Sequence, residues 1–118
     1  MISMRETYEK IGANYDDACA RLMGEEMLAR FALKFLDDES MDQLEAALAA
    51  GDAKDAFMAA HTLKGVSQNL GFDNLYEPAV VVTEALRDAD AVDGARDGMH
   101  ALRQQYAATM AALREAAE

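Results

Sequence analysis

Proline, cysteine and positive charge are all scarce in this 118-residue chain, and each scarcity excludes something. Pro78 is the one proline, so little interrupts a helix. Cys19 is the one cysteine, so no internal disulfide can form, which fits a reducing compartment. Only 11 Lys and Arg stand against 22 Asp and Glu, for a formal net charge of −11. Phosphate backbones and anionic membranes repel such a surface, so neither nucleic acid nor membrane is an expected partner. No apolar run approaches the roughly 20 residues of a membrane span. The N-terminus lacks the basic-then-apolar order of a signal peptide. The expectation is a soluble cytoplasmic protein.

What is present favours helix. Half of the residues are apolar (52%), which argues against disorder. A chain of this length buries roughly two thirds of its unfolded surface, enough for one domain over residues 1–118. Alanine, leucine, glutamate and methionine are abundant, and β-branched residues are few.

Glycine and aspartate clusters divide the chain into helical segments. Two short ones, over 4–13 and 16–23, carry Tyr8, Ile11, Cys19 and Leu22 as docking residues. Cys19 reads as a small buried hydrophobe. Glu25 and Glu26 suit the start of the next segment, 25–50, where the helix dipole is positive. Its apolar stripe includes Leu28, Phe31 and Phe35 and continues through Leu44 and Leu48. Asp37-Asp38-Glu39 interrupts, and Ser40-Met41-Asp42-Gln43 has capping-box spacing, so local signals allow one helix or two. Asp52 can cap the next helix, 52–70, and Gly71 can close it, giving a rod of about 28 Å. A fourth covers 74–89 with Leu75, Val82 and Leu86 inward. Pro78 either opens it late or kinks it. The last, 92–116, spaces Val92, Ala95, Met99, Leu102, Tyr106, Met110 and Leu113 by threes and fours, with His100 near that seam. Gly94 and Gly98 weaken its first turns.

Four long amphipathic segments joined by very short turns must run antiparallel. The expected fold is all-α: an up-down-up-down four-helix bundle over 25–118, with residues 1–24 as short helices capping one end.

One stretch carries chemistry: His61-Thr62-Leu63-Lys64-Gly65-Val66-Ser67-Gln68-Asn69-Leu70-Gly71. At helical spacing His61, Lys64, Gly65 and Gln68 share one stripe. Leu63 and Leu70, with Ala56, Phe57 and Ala60 earlier, mark the face expected to be buried. Imidazole ordinarily titrates between about pH 5 and 8, so near neutrality a ring nitrogen has a lone pair free to attack phosphorus. Phosphoryl transfer needs positioning and charge stabilisation above all. Lys64, one turn on, can hold a phosphoryl oxygen. Gly65 leaves a notch through which a partner's loop can approach. Gln68 can add a hydrogen bond. A mid-helix glycine costs about 1 kcal/mol relative to alanine, so something should compensate. Met58, three residues before His61, belongs to the same face and suits an apolar docking patch.

This stretch resembles the signature of histidine-containing phosphotransfer (HPt) domains: His-x-Leu-Lys-Gly, a small residue two positions later, then Leu/Ile-Gly. Leu44-Glu45-Ala46-Ala47-Leu48-Ala49-Ala50-Gly51-Asp52 is similar to the family's lead-in, and the likeness spans roughly 25–89. The resemblance implies a four-helix bundle with extra N-terminal helix and one continuous helix over 25–50. It implies that His61 is the phosphoacceptor of a multistep phosphorelay, Lys64 the phosphate-side cation and Gly65 the clearance residue. It implies response-regulator receiver domains and a hybrid sensor histidine kinase as partners of a monomeric carrier. Two positions depart from the pattern. Many members place Gln or Glu on the fourth helix facing the histidine; an ungapped count puts Thr83 there, with Glu84 next. Pro78 falls inside that helix.

No nucleotide-binding loop is visible, so the chain is expected to carry phosphate and not to act as a kinase. No cofactor or metal is expected, the magnesium coming with the receiver. Paired Glu-x-x-His motifs, which a carboxylate-bridged metal bundle needs, are missing. The alternative from another class is a helical adaptor that binds receivers or kinases without taking phosphate.

Overall fold

The computed structural model describes residues 2–118, and among these the chain is helical with no strand. Helix α1 spans Met4–Ile11 and starts in a complete capping box: the Ser3 hydroxyl accepts from the Glu6 N–H, and the Glu6 carboxylate accepts from Ser3 in return. Helix α2, Tyr15–Leu22, is capped by the Asn14 side chain, which accepts from the Asp17 N–H at 3.0 Å. Then follow α3 (Glu25–Lys34), a 3-10 turn at Phe35–Asp37, and α4 (Ser40–Ala49). Helix α5 is Ala53–Asn69, capped by Asp52 as expected. Helix α6 is Asp73–Leu86, and α7, Arg96–Ala117, follows a 3-10 turn at Asp93–Ala95.

The single helix expected over 25–50 is therefore two helices. Asp38 adopts an extended conformation, and its carboxylate accepts hydrogen bonds from the Ser40 N–H at 2.9 Å and from the Ser40 hydroxyl. A side chain that bonds the backbone just ahead offers the chain an alternative to continuing the helix. Glu39 stands at the N-cap without a side-chain bond, and Asp38, one residue earlier, satisfies the N–H of Ser40, the buried first residue of α4. Pro78 neither delays α6 nor ends it; it stands inside a helix that begins at Asp73.

Helices α4, α5, α6 and α7 pack as sequential neighbours, and α3 reaches α7. Three-residue turns join α4 to α5 and α5 to α6, and residues 87–95 join α6 to α7, connections short enough to make those neighbours antiparallel. An ion pair between Arg103 of α7 and Glu45 of α4, 2.7 Å, ties the last helix back to the first of these. Helix α7 starts at Arg96 and not at residue 92, so Val92 and Ala95 of the expected seam precede it; Met99, Leu102, Met110 and Leu113 are buried, and Tyr106 is half-buried. His100 is instead exposed. Gly98 has a packing role beyond weakening the helix, because a Cβ there would meet Val82 Cγ2 at 3.1 Å and Val81 Cγ1 at 3.2 Å. Helices α1 and α2 close the end where α5 turns into α6. Tyr8 is fully buried, donates its hydroxyl to the Leu70 carbonyl at 2.7 Å and packs on Phe72. Cys19 is half-buried against the same core.

Candidate functional site

Helix α5 sorts its residues by face. Ala56, Ala60, Leu63 and Ser67 are buried, while His61, Gly65 and Gln68 are exposed and Lys64 is half-buried. The stripe expected from spacing is thus present, and it faces outward. Among the described residues the His61 imidazole makes no hydrogen bond, and neither Lys54 nor Lys64 enters an ion pair. A Cβ placed on Gly65 would meet nothing within 4 Å, so no internal contact requires a glycine there.

Phe57 departs from its expected place. It is half-buried and not part of the sealed face, and its ring lies 5.9 Å from the His61 imidazole, tilted by 39°. Its i, i+4 spacing to His61 is the sequence signal for this, and its apolar character points the other way. The Arg87 guanidinium lies 5.1 Å from the centre of the Phe57 ring, a cation–π arrangement that brings the end of α6 to the site. Arg87 also donates from Nε and Nη2 to the two carboxylate oxygens of Glu84, both at 3.0 Å. Those bonds hold the Glu84 carboxyl below the usual carboxylate range, and the charge of Lys64 adds to the effect.

Thr83, the residue that the ungapped count set opposite the histidine, is fully buried and donates to the Ala79 carbonyl at 2.7 Å. It cannot orient an exposed imidazole. The neighbouring Glu84 is exposed and bonds Arg87, which reaches the Phe57 ring beside the imidazole.

On the other flank of His61, Met58 is 59% exposed. It borders a groove of about 500 Å³ between α4 and α5, with Gln43, Ala47 and Thr62 among its walls. The other methionines divide: Met41, Met99 and Met110 fill the core, and Met23 is exposed. Among the described residues no group of three or more His, Cys, Asp or Glu is placed to hold a metal ion. Among the described residues no helix is long and apolar enough to cross a membrane.

An imidazole open to water, a cation one turn away and bare space beside it form a surface on which a nucleophilic nitrogen can meet an anion carried by a large partner. Comparison with known families gives the same direction. The family model described as Hpt domain matches residues 35–116, from the turn after α3 almost to the end of α7. No curated protein and no solved structure matches the chain.

Proposed function

Because the chain belongs to the Hpt domain family, whose members carry phosphoryl groups in phosphorelays and are not kinases, we propose that it relays phosphate between receiver-domain aspartates through His61. A ring nitrogen of His61 attacks the phosphorus of an aspartyl phosphate in line. The P–N bond forms as the P–O bond to the aspartate breaks, and the aspartate leaves as a carboxylate. A second receiver aspartate then takes the phosphoryl group by the reverse chemistry. Lys64 holds phosphoryl oxygens through charge-assisted hydrogen bonds. Gly65 leaves room for the receiver's active-site loop, and Gln68 lies on the same stripe for a further contact. Met58 and the α4–α5 groove supply apolar surface for docking. The receiver brings the magnesium ion, and this chain contributes no cofactor.

The observation that carries this reading is the combination at α5: an exposed His61 with no partner among the described residues, beside a glycine whose missing side chain faces open space. The site is also a local exception to the chain's acidity. Lys64 follows His61 by one turn on the same stripe, and Arg87 reaches the Phe57 ring that adjoins the imidazole, which suits an acidic receiver pocket.

The test is phosphotransfer from a panel of phosphorylated receiver domains to the wild-type chain and to His61→Gln. The wild type should gain an acid-labile phosphoryl group, and the variant should melt normally and gain none. Label that persists in the variant refutes the assignment. Tight receiver binding with no phosphohistidine by phosphorus NMR would instead establish the adaptor.

A further inference from the structure

Glu84 lies on the exposed side of α6, where it holds Arg87, and the core does not need it. Its carboxylate accepts both bonds from Arg87, and the two side chains are about half exposed, at 54% and 47%. Arg87 reaches the Phe57 ring, and that ring adjoins the imidazole. Lys64 adds its field to the same carboxylate. Arg87 is therefore paired with this anion, and the charge of Lys64 also favours the carboxylate. An exposed pair of this kind contributes little to stability, so its register beside His61 calls for another account.

We propose that Glu84 is a positioning residue that competes with phosphorylated His61 for Arg87 and Lys64, and thereby shortens the life of the phosphohistidine. The proposal rests on the reading of His61 as phosphoacceptor. A phosphoryl group brings close to two negative charges, against one on Glu84. Loss to water forms a P–O bond as the P–N bond breaks. The electron pair of that bond returns to the ring nitrogen, which takes up a proton, and inorganic phosphate leaves. The transition state is loose, with negative charge moving off the phosphoryl oxygens. Cations resting on those oxygens stabilise the starting state more than the transition state, so they slow the step. A carboxylate that keeps the cations occupied speeds it, and its own charge favours the protonated ring.

The experiment needs no protein partner. Potassium phosphoramidate phosphorylates an imidazole by exchanging its own P–N bond for one to the ring, releasing ammonia. Because His100 is also exposed, the chain carrying His100→Gln serves as the reference, and it and its Glu84→Gln, Glu84→Asp and Arg87→Gln variants are treated, freed of reagent and followed by phosphorus NMR at low salt. Glu84→Gln should lengthen the phosphohistidine half-life roughly 2–5-fold, the range of an exposed charge pair. Arg87→Gln should shorten it, and Glu84→Asp should stay near the reference. The Glu84→Gln effect should shrink as salt is raised, which a structural role would not produce. A phosphohistidine that forms but keeps its reference lifetime in Glu84→Gln overturns this inference alone. A reference chain that takes no phosphate from either phosphoramidate or receivers overturns the reading of His61 together with it.

Discussion

Asn14 and Gly71 clamp the N-terminal helices to the turn after the histidine helix. The Asn14 N–H donates to the Gly71 carbonyl at 2.7 Å. A Cβ on Gly71 would sit 2.6 Å from the Asn14 carbonyl oxygen and 2.9 Å from Ala18 Cβ. Gly71 also has φ of +69°, in the left-handed region. The same Asn14 caps α2 with its side chain, so one residue both starts a helix and fixes its position on the bundle.

Gly71→Ala should therefore destabilise the chain by about 2–5 kcal/mol, combining left-handed strain with overpacking. Urea denaturation measures it. A change under about 1 kcal/mol would mean that α2 moves away at little cost.

Gly65→Ala should act in the opposite direction. Nothing lies within 4 Å of the added carbon, and alanine is the better helix former, so stability should rise by about 0.5–1 kcal/mol. Gly65→Gln should also fold normally, yet slow transfer from a phosphorylated receiver on the order of 10–100-fold, because the partner is held off line. Thermal melts beside transfer rates separate the two effects. Transfer that keeps its wild-type rate in Gly65→Gln would remove the clearance role.

Tyr8 predicts an alkaline limit to stability. Burial is the main cause that pushes its phenol above the ordinary value, while in the unfolded chain tyrosine titrates near pH ~10. Above that pH the unfolded state gives up its proton and the folded state keeps it, so stability is full below pH ~10 and falls as pH rises further. Tyr8→Phe should flatten the fall. At neutral pH it should cost about 1–3 kcal/mol, because the Leu70 carbonyl loses its buried donor. Urea titrations from neutral to alkaline pH check both statements. Phosphotransfer per folded molecule should stay unchanged, since Tyr8 lies at the far side of the turn from His61.

Asp38→Ala should cost about 1 kcal/mol by removing the acceptor at the start of α4, and Asp38→Asn should recover much of it. Amide exchange should quicken first at the Ser40 N–H, which loses its acceptor. Unaltered protection there would show that the break between α3 and α4 has another cause.

These positions show what a sequence can and cannot convey. Asp52, Gly71 and the spacing on α7 are local signals with one physical meaning each, and the structure follows them. The stripe through His61, Lys64, Gly65 and Gln68 needs only the helical period. The break at Asp38 is different. Its sequence signal was present, but the family likeness favoured a continuous helix, and the outcome turned on one carboxylate bonding Ser40. The Arg87 contact of Phe57, and the places of Thr83 and Gly98, were not legible for another reason. Phe57 answers to Arg87, Thr83 to the interior of α6, and Gly98 to Val81 and Val82 on a different helix. Phe57 and Gly98 depend on how close two helices come, which periodicity does not encode, and Thr83 on which face of α6 turns inward.

The joint at Phe35–Asp37 divides the molecule into parts with different freedom to change. The family match starts at residue 35, where the rod leading to α4 begins anew. Upstream, α1 to α3 hold on through the Asn14 clamp, the Tyr8 hydroxyl and contacts with α7. An ancestor could exchange that leading third for another set of helices and leave the imidazole where it is. Among descendants, divergence should accumulate ahead of the joint, and the stretch behind it should drift slowly.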